Sequence, residues 1–459
     1  MPLKTVIVGN ADAVRAASAQ AHAWTGVEVI GAALIGAGDT DLQLLTRAPV
    51  WEAIDVAALG AQAVVLAEPP ADGATARAIL ERTAGARMKL MLVEGGALRR
   101  VRLDDLLGRP LGAVDWARIR AMIEGKRVLI TGGGGSIGGE LARTIAKLAP
   151  ASLKLLDSSE FNLYRIQRDL PEARIALANV RDAHAVHRWV SEARPDIVFH
   201  TAALKQVPIV ETFPSEGVLT NIVGLRNVAE AAHGAGADLI FVSTDKAVDP
   251  SGVMGASKRL GEIYCQALDR AGGRRAIPVR LGNVLGSTGS VSPIFEEQLA
   301  AGGPLTVTDP DVTRFFLTIP QAANALLQAA AVGLANPDQR GAAFVIEMGE
   351  AMPVVELARE VIRLEGLRPG EDIAITFTGL RPGEKLHEAL IASNEWREAD
   401  LAPGAIKVAS APHGLADVRE RIERLALLAR QGADEAVREA LFAAIAAQGA
   451  NDSDERAAG

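Results

Sequence analysis

The stretch KRVLITGGGGSIGGELARTIAKLA, residues 126–149, constrains this chain most. An apolar run of strand length stops at Thr131, a cluster of glycines follows, and apolar residues then recur at helical spacing. Strand, glycine turn and helix in that order form a phosphate-binding unit. Thr131, Gly132, Gly135, Ser136, Ile137 and Gly138 fit T-G-x-x-G-x-x-G. Gly132 permits the tight turn, Gly135 lets backbone approach a pyrophosphate, and Gly138 lets the helix pack closely on the strand. The free N–H groups of the helix start then face the phosphates. Asp157 closes the next apolar run. A carboxylate there accepts hydrogen bonds from a ribose 2′-hydroxyl and repels a 2′-phosphate, which selects NAD over NADP.

Further short apolar runs alternate with helical stretches at Leu153–Asp157, Arg174–Ala178, Asp196–His200, Leu239–Ser243 and Ala276–Leu281. The pattern predicts an α/β protein with a doubly wound parallel sheet. A smaller α/β domain precedes it, with runs at Lys4–Gly9, Val27–Leu34, Ala63–Ala67 and Lys89–Val93. Its glycine turn, GNADAV, has one glycine where a dinucleotide site needs three, so this domain reads as structural or regulatory. The expected partition is a Rossmann-like domain over 1–113, a linker helix over 114–125, a catalytic domain over 126–412, and a helical extension with a polar tail over 413–459. The expected ligand pockets lie where the strands end: Asn179 and Val180 beside an adenine, Ala202 and Ala203 beside the nicotinamide half.

Net charge is −8 over 459 residues, which argues against nucleic-acid binding and requires a local basic site for any anionic substrate. The single cysteine, Cys265, excludes an intrachain disulfide and reads as a buried apolar residue. The seven histidines show no metal-ligand spacing, so no protein metal site is expected. No signal-peptide layout and no apolar run long enough for a membrane span are seen, so the expectation is a cytoplasmic protein.

Ser243–Lys258, STDKAVDPSGVMGASK, ends in the spacing of a Tyr-x-x-x-Lys dehydrogenase pair, but Met254 stands at the tyrosine position. Methionine carries no exchangeable proton. Any acid–base work must then come from other residues; Asp245 and Lys246 are adjacent at a strand end, and Lys258 lies one helical turn past Met254.

With these loops the chain resembles the extended short-chain dehydrogenase/reductase family, and within it the polysaccharide-biosynthesis nucleotide-sugar 4,6-dehydratases that act on UDP-N-acetylglucosamine. The motifs are ITGGGGSIGGEL, HTAALKQVPIVE, TNIVG, FVSTDKAVDPSGVMGASKR, RLGNVLGSTGSVSPIF, TDPDVTRFFLTIPQA and GLRPGEKLHE, in order, across about residues 4–400. In long members of the family the tyrosine position is similarly methionine. The resemblance implies NAD as cofactor, a UDP-sugar substrate, a homo-oligomer, and an extended fold with a smaller C-terminal substrate part. It implies oxidation at sugar C4, elimination of water across C5 and C6, and return of hydride to C6. By carry-over, Asp245 is the acid at the C6 hydroxyl and Lys246 the base at C5. Thr244 hydrogen-bonds the C4 hydroxyl, and Lys258 holds the nicotinamide ribose. Lys205 reaches toward cofactor and substrate, and Asn221 orders the cofactor side. Asn283, Ser290 and Val291 line the nucleotide sugar, Arg314 and Arg381 clamp the pyrophosphate, and Glu384 binds ribose. Gln206 stands where members usually carry histidine, and Thr288 where arginine is common. Long members usually begin with transmembrane helices, so this chain reads as a soluble member or as the soluble part of an inner-membrane-associated one. Two other readings stay open: a UDP-sugar 4-epimerase, and a non-catalytic protein that senses NAD and UDP-sugars.

Overall fold

The computed structural model describes residues 1–35, 60–85, 87–106, 114–336, 339–402 and 405–446. The expected boundary at 113 and the polar tail lie outside the described residues.

Two compact units are present. The first contains Met1–Pro110, Val291–Asp311 and Met352–Gly379. Short runs of Val, Ile, Leu and Ala form strands β1 (Leu3–Gly9), β2 (Val27–Leu34), β3 (Ala63–Leu66) and β4 (Lys89–Glu94), followed by β5 (Ala97–Arg100). Their order is β2-β1-β3-β4-β5, parallel except for the β4–β5 hairpin. Helix α1 (Ala11–Gln20) is capped by the Asn10 side chain, which accepts from Ala13 N–H. Helix α2 (Gly73–Gly85) buries Ala76, Ile79 and Leu80 with Val64, Leu66 and Leu90.

The compact units cut across the expected linear partition. Two pieces of the 126–412 stretch belong to the first unit, for physical reasons visible within it. Leu305–Val307 pairs in parallel with Ile375–Phe377. Helix Val354–Leu364 packs its last residue, Leu364, against the core of α2 and the β-sheet. Arg363 with Glu81, Arg100 with Glu365 and Arg87 with Asp372 flank that contact.

The second unit contains Leu111–Ser290, Val312–Ala351 and Leu380–Gly459. Asp115 caps helix α3 (Trp116–Ile123), where the linker helix was expected. The sheet then takes β6 (Arg127–Thr131), β7 (Ser152–Asp157), β8 (Arg174–Leu177), β9 (Ile197–His200), β10 (Asp238–Thr244) and β11 (Ala276–Leu281). It ends with β12 (Ala343–Ile346), β13 (Glu395–Ala402) and β14 (Ala405–Ser410). The order is β13-β14-β12-β11-β10-β9-β6-β7-β8, with antiparallel pairing only at β12–β14 and β13–β14. Strand order reverses between β6 and β9, so ligand crevices open beyond their C-terminal ends. The central strands are buried on both faces, and β6 and β9 read as unbroken apolar runs, such as Val128-Leu129-Ile130.

Helix α4 (Ser136–Ala146) packs with Ile130 and Leu155 on one face of the sheet. On the other face lies α5 (Val253–Arg270), buried from Val253 through Asp269. It can be apolar and polar all round because protein covers every side. Helices α6 (Leu415–Arg430) and α7 (Asp434–Ala446) supply that cover with Val418, Ile422, Leu425, Val437 and Leu441. The C-terminal extension therefore completes the core around the helix that carries Met254 and Lys258. No helix among the described residues is long and apolar enough to cross a membrane.

Candidate active site

The glycine loop meets the end of β9. Gly132 has φ +68, and a Cβ there would lie 2.7 Å from Ala202 N. A Cβ on Gly138 would lie 2.2 Å from Gly132 O, so only glycine lets α4 start this close to the strand. Thr131 Oγ1 sits 2.6 Å from His200 Nδ1, while the Thr201 hydroxyl donates to Thr131 O at 2.8 Å. Burial holds the neutral form of His200, with its pKa lowered to about 3 and Lys258 adding to the effect. Asp157 is buried and accepts from Gly134 N–H at 3.0 Å and Ser159 N–H at 2.9 Å. Both oxygens keep a lone pair for a ribose. Ser136 and Ile137 open α4, and the Ser136 hydroxyl accepts from Thr288 N–H at 3.2 Å. These residues fit an NAD pyrophosphate and ribose: small residues where backbone must approach, a helix start, and an acid at the next strand end.

The other expected cofactor residues gather around this crevice. Val180 is buried, and exposed Asn179 accepts from Arg181 N–H at 3.0 Å. Asn221 is buried in a π-helical turn, Leu219–Val223, which aims its amide at the backbone after β9. It accepts from Leu204 N–H at 2.8 Å and donates to Leu204 O at 3.0 Å and Ser257 Oγ at 2.9 Å. Asn221 thereby fixes the loop of Ala202 and Ala203 against α5.

Strand β10 ends in Thr244, whose hydroxyl donates to Asp245 Oδ1 at 2.9 Å. Lys246 Nζ donates to the same oxygen at 3.0 Å and to Asn283 Oδ1 at 2.8 Å. Asp245 is fully buried, and its Oδ2 has no partner. A carboxyl group with one oxygen engaged and one bare is placed to exchange a proton with a ligand. Met254 is buried on the first turn of α5. One turn on, Lys258 Nζ donates to Val242 O at 2.9 Å and lies 4.7 Å from the Phe241 ring centre. Burial lowers its pKa to about 8, with Glu262 and Cys265 opposing.

Beneath the site is a buried ionic frame. The Ser243 hydroxyl donates to Glu262 at 2.7 Å. Arg280 lies between Glu262 and Glu395, with contacts of 2.7 Å and 2.6 Å, and donates to Leu390 O at 3.1 Å. This frame ties β10, β11 and α5 to the segment after GLRPGEKLHE.

The expected substrate residues do not all converge. Lys205 is exposed and donates to Ser287 Oγ at 3.1 Å. Gln206 donates to Gly289 O at 3.0 Å, so the loops after β9 and β11 are joined. Ser290 has a buried hydroxyl without a partner. Val291 opens the helix Val291–Ala300 in the first unit. Arg314 is buried, and its guanidinium is committed to the carbonyls of Thr313, Leu386 and Lys385 at 2.7, 2.9 and 2.8 Å. Arg381 is exposed and donates to Glu384 Oε1 from Nε at 3.0 Å.

Sequence reasoning missed Glu388. Its side chain is buried, with Oε1 3.5 Å from Lys246 Nζ. The one available signal was a second acid, after Glu384, at the end of GLRPGEKLHE. No group of His, Cys, Asp or Glu suited to a metal occurs among the described residues.

A family model described as "Polysaccharide biosynthesis protein" matches residues 128–409. The capsular polysaccharide biosynthesis protein CapD of Staphylococcus aureus is 43% identical over 312 residues, 66% of this chain and 51% of that one. This chain thus spans about half the length of that relative. A UDP-glucose 4-epimerase of Rickettsia prowazekii is 34% identical over 299 residues, 62% of this chain and 84% of that one. Among solved structures, Pen from Bacillus thuringiensis aligns with a TM-score of 0.55 at 30% identity, over 63% of this chain and 87% of that one. The glycine crevice, the Thr244-Asp245-Lys246 turn and the matched stretch agree: the chain belongs to the polysaccharide biosynthesis protein family, as a CapD-like extended short-chain dehydrogenase/reductase.

Proposed function

We propose that this protein dehydrates a UDP-N-acetylhexosamine, UDP-N-acetylglucosamine first among them, to the 4-keto-6-deoxy sugar. The observation that carries this reading is the buried Asp245 carboxyl bridging Thr244 and Lys246 with Met254 at the tyrosine position. NAD, when bound, supplies the hydride acceptor and donor. Thr131, Gly132, Gly135, Ser136, Ile137, Gly138, Asp157, Asn179, Val180, Ala202, Ala203 and Lys258 would hold it.

The chain's own residues supply the proton chemistry. The Thr244 hydroxyl hydrogen-bonds the C4 hydroxyl and passes its proton toward Asp245. Asp245 then protonates the C6 hydroxyl, which leaves as water. Lys246 takes the C5 proton and later returns one. Lys205, Asn283 and Ser290 line the sugar nucleotide. Arg381 and Glu384 serve the pyrophosphate and ribose after exchanging their mutual pair for ligand contacts. In this reading Arg314 braces the Lys385–Glu388 segment rather than clamping phosphate. The setting is cytoplasmic and the protein a homo-oligomer, which light scattering would check.

The test is incubation with UDP-N-acetylglucosamine, followed by mass spectrometry and proton NMR in deuterated water. Loss of one water, a C6 methyl signal and deuterium at C5 are expected. The epimerase-named relative favours a second reading, 4-epimerisation; a product of unchanged mass inverted at C4 would support that instead. A sugar recovered unchanged from every UDP-hexose tried would remove both.

A further inference from the structure

Lys246 has a difficulty as a base. An amine accepts a proton only after losing its own, and this Nζ already donates to Asp245 Oδ1 at 3.0 Å and to Asn283 Oδ1 at 2.8 Å. Asp245 offers no relief, because its own proton is destined for the C6 hydroxyl. The site therefore needs a third group.

Glu388 is placed for it. Oε1 lies 3.5 Å from Lys246 Nζ and 4.0 Å from Arg314 Nε, and Oε2 lies 3.9 Å from Lys385 Nζ. The surrounding cations are engaged elsewhere. Arg314 donates to three backbone carbonyls, and Lys385 Nζ donates to Val248 O at 2.7 Å. Glu388 Oε2 is buried and accepts no hydrogen bond. A bare buried carboxylate is costly, and a proton removes the cost. Burial, with Asp245 assisting, pushes the Glu388 carboxyl above its ordinary range against the pull of Lys246, Arg314 and Lys385. The charged groups facing this pair are Asp245 beside Lys246, Arg314 on its strand, and Lys385 on Glu388's own segment. Lys258 is turned to Val242 O.

We propose that Glu388 takes the ammonium proton of Lys246 and so frees the amine to act as a base, a role that rests on the dehydratase reading above. The step balances within the site. An N–H bond of Lys246 breaks, its electron pair stays on nitrogen, and an O–H bond forms on Glu388 Oε1. The amine pair then takes the C5 proton, and the C5–H electrons form the C5=C6 bond as the C6–O bond breaks. Lys246 returns a proton to C5, and Glu388 returns its own to the amine. The observed 3.5 Å is long for direct transfer; separations of this kind tighten in substrate complexes. Glu388 acts through Lys246 and is a positioning residue.

The test uses the full chain with NAD. Turnover of UDP-N-acetylglucosamine and C5 deuterium incorporation are measured from pH 6 to 10 for wild type, Glu388→Gln and Glu388→Asp. Wild type should show a flat plateau through neutral pH, because the proton moves inside the site. In Glu388→Gln the amine must lose its proton to solvent, so the rate should climb about tenfold per pH unit toward an alkaline limit. Glu388→Asp should restore the plateau at reduced height. A Glu388→Gln profile parallel to wild type, lowered equally at every pH, would overturn the proposal and leave a packing role.

A second readout needs no turnover. Trace acetylation of Lys246 by acetic anhydride, followed by mass spectrometry across pH, reports the amine directly. Removing the neighbouring carboxylate should move its half-point down by about one pH unit; an unmoved half-point sinks the link. If wild type dehydrates no UDP-hexose, the substrate reading fails, and the labelling experiment still decides the proton link.

Discussion

At the scale of single residues, the site is a short chain of proton-bearing groups around one buried carboxyl. Under the proposed dehydration, Asp245→Asn keeps the shape but removes the acid, and Lys246→Met removes the base. Each should lower turnover by about 10²–10⁴-fold while NAD affinity, read by calorimetry, stays within a few-fold. Lys258 gives a prediction with the opposite sign for stability. Its folded pKa of about 8 lies below the ordinary lysine value, so the unfolded chain binds the extra proton more readily. The cost to the fold is complete below pH 8 and fades as pH rises toward 10.5. Lys258→Met should therefore melt higher than wild type at pH 7, by at most about 3 kcal/mol. The gain should shrink toward pH 10 in thermal scans, while NAD binding weakens.

Much of this residue-level picture was legible. Asp245 and Lys246 are adjacent and follow an apolar run, so their place at a strand end could be read directly. Arg314 could not, because the partners of its guanidinium are backbone carbonyls, which no side-chain pattern announces. Glu388 was hidden for a related reason. Its importance comes from Lys246, brought beside it only by the fold.

At the scale of elements, the glycine loop and the ionic frame do different work. Gly138→Ala places a methyl group 2.2 Å from Gly132 O, inside van der Waals contact, so α4 must retreat from β6. About 1–3 kcal/mol of stability and most NAD affinity should be lost, as followed by urea denaturation and calorimetry. The frame responds to acid. Burial alone would raise the Glu395 carboxyl, but the Arg280 hydrogen bonds and charge outweigh it and hold the pKa at about 2. A depressed carboxyl contributes stability above its unfolded value of 4.5, and that contribution is lost as pH falls toward 2. Glu395→Gln should cost about 3–5 kcal/mol at pH 7. The gap to wild type should narrow below pH 4.5 in denaturant titrations.

The same scale explains which strands could be read. Parallel strands buried on both faces are continuous apolar runs, and all ten anticipated runs form strands, shifted by a residue or so. Strand β12 was missed although AFVI is an apolar run set off from the preceding helix by the turn residues NPDQRG, so its pattern was open to reading. The edge pair β13 and β14 was missed because EWREADLA is half charged and resembles a loop.

At the scale of the whole molecule, the first unit is discontinuous in sequence. Leu364 reaches the core of α2, and the flanking ion pairs are exposed, so the apolar contact outweighs them. Leu364→Ser should raise amide hydrogen exchange across 354–379 and 73–85 together. Exchange in β6–β11 should stay unchanged. Equal protection in the variant would mean that the helix needs no such anchor.

That discontinuity has a consequence in time. The ribosome finishes α2 early, but the residue that covers its flank is among the later ones to emerge. At about 5–20 residues per second the delay is on the order of tens of seconds. Throughout it, the amino-terminal sheet and helices exist as a nascent domain with an open apolar side. A chain that stalls or is cut before Leu364 never closes that side. The first unit is a domain translated first and finished late.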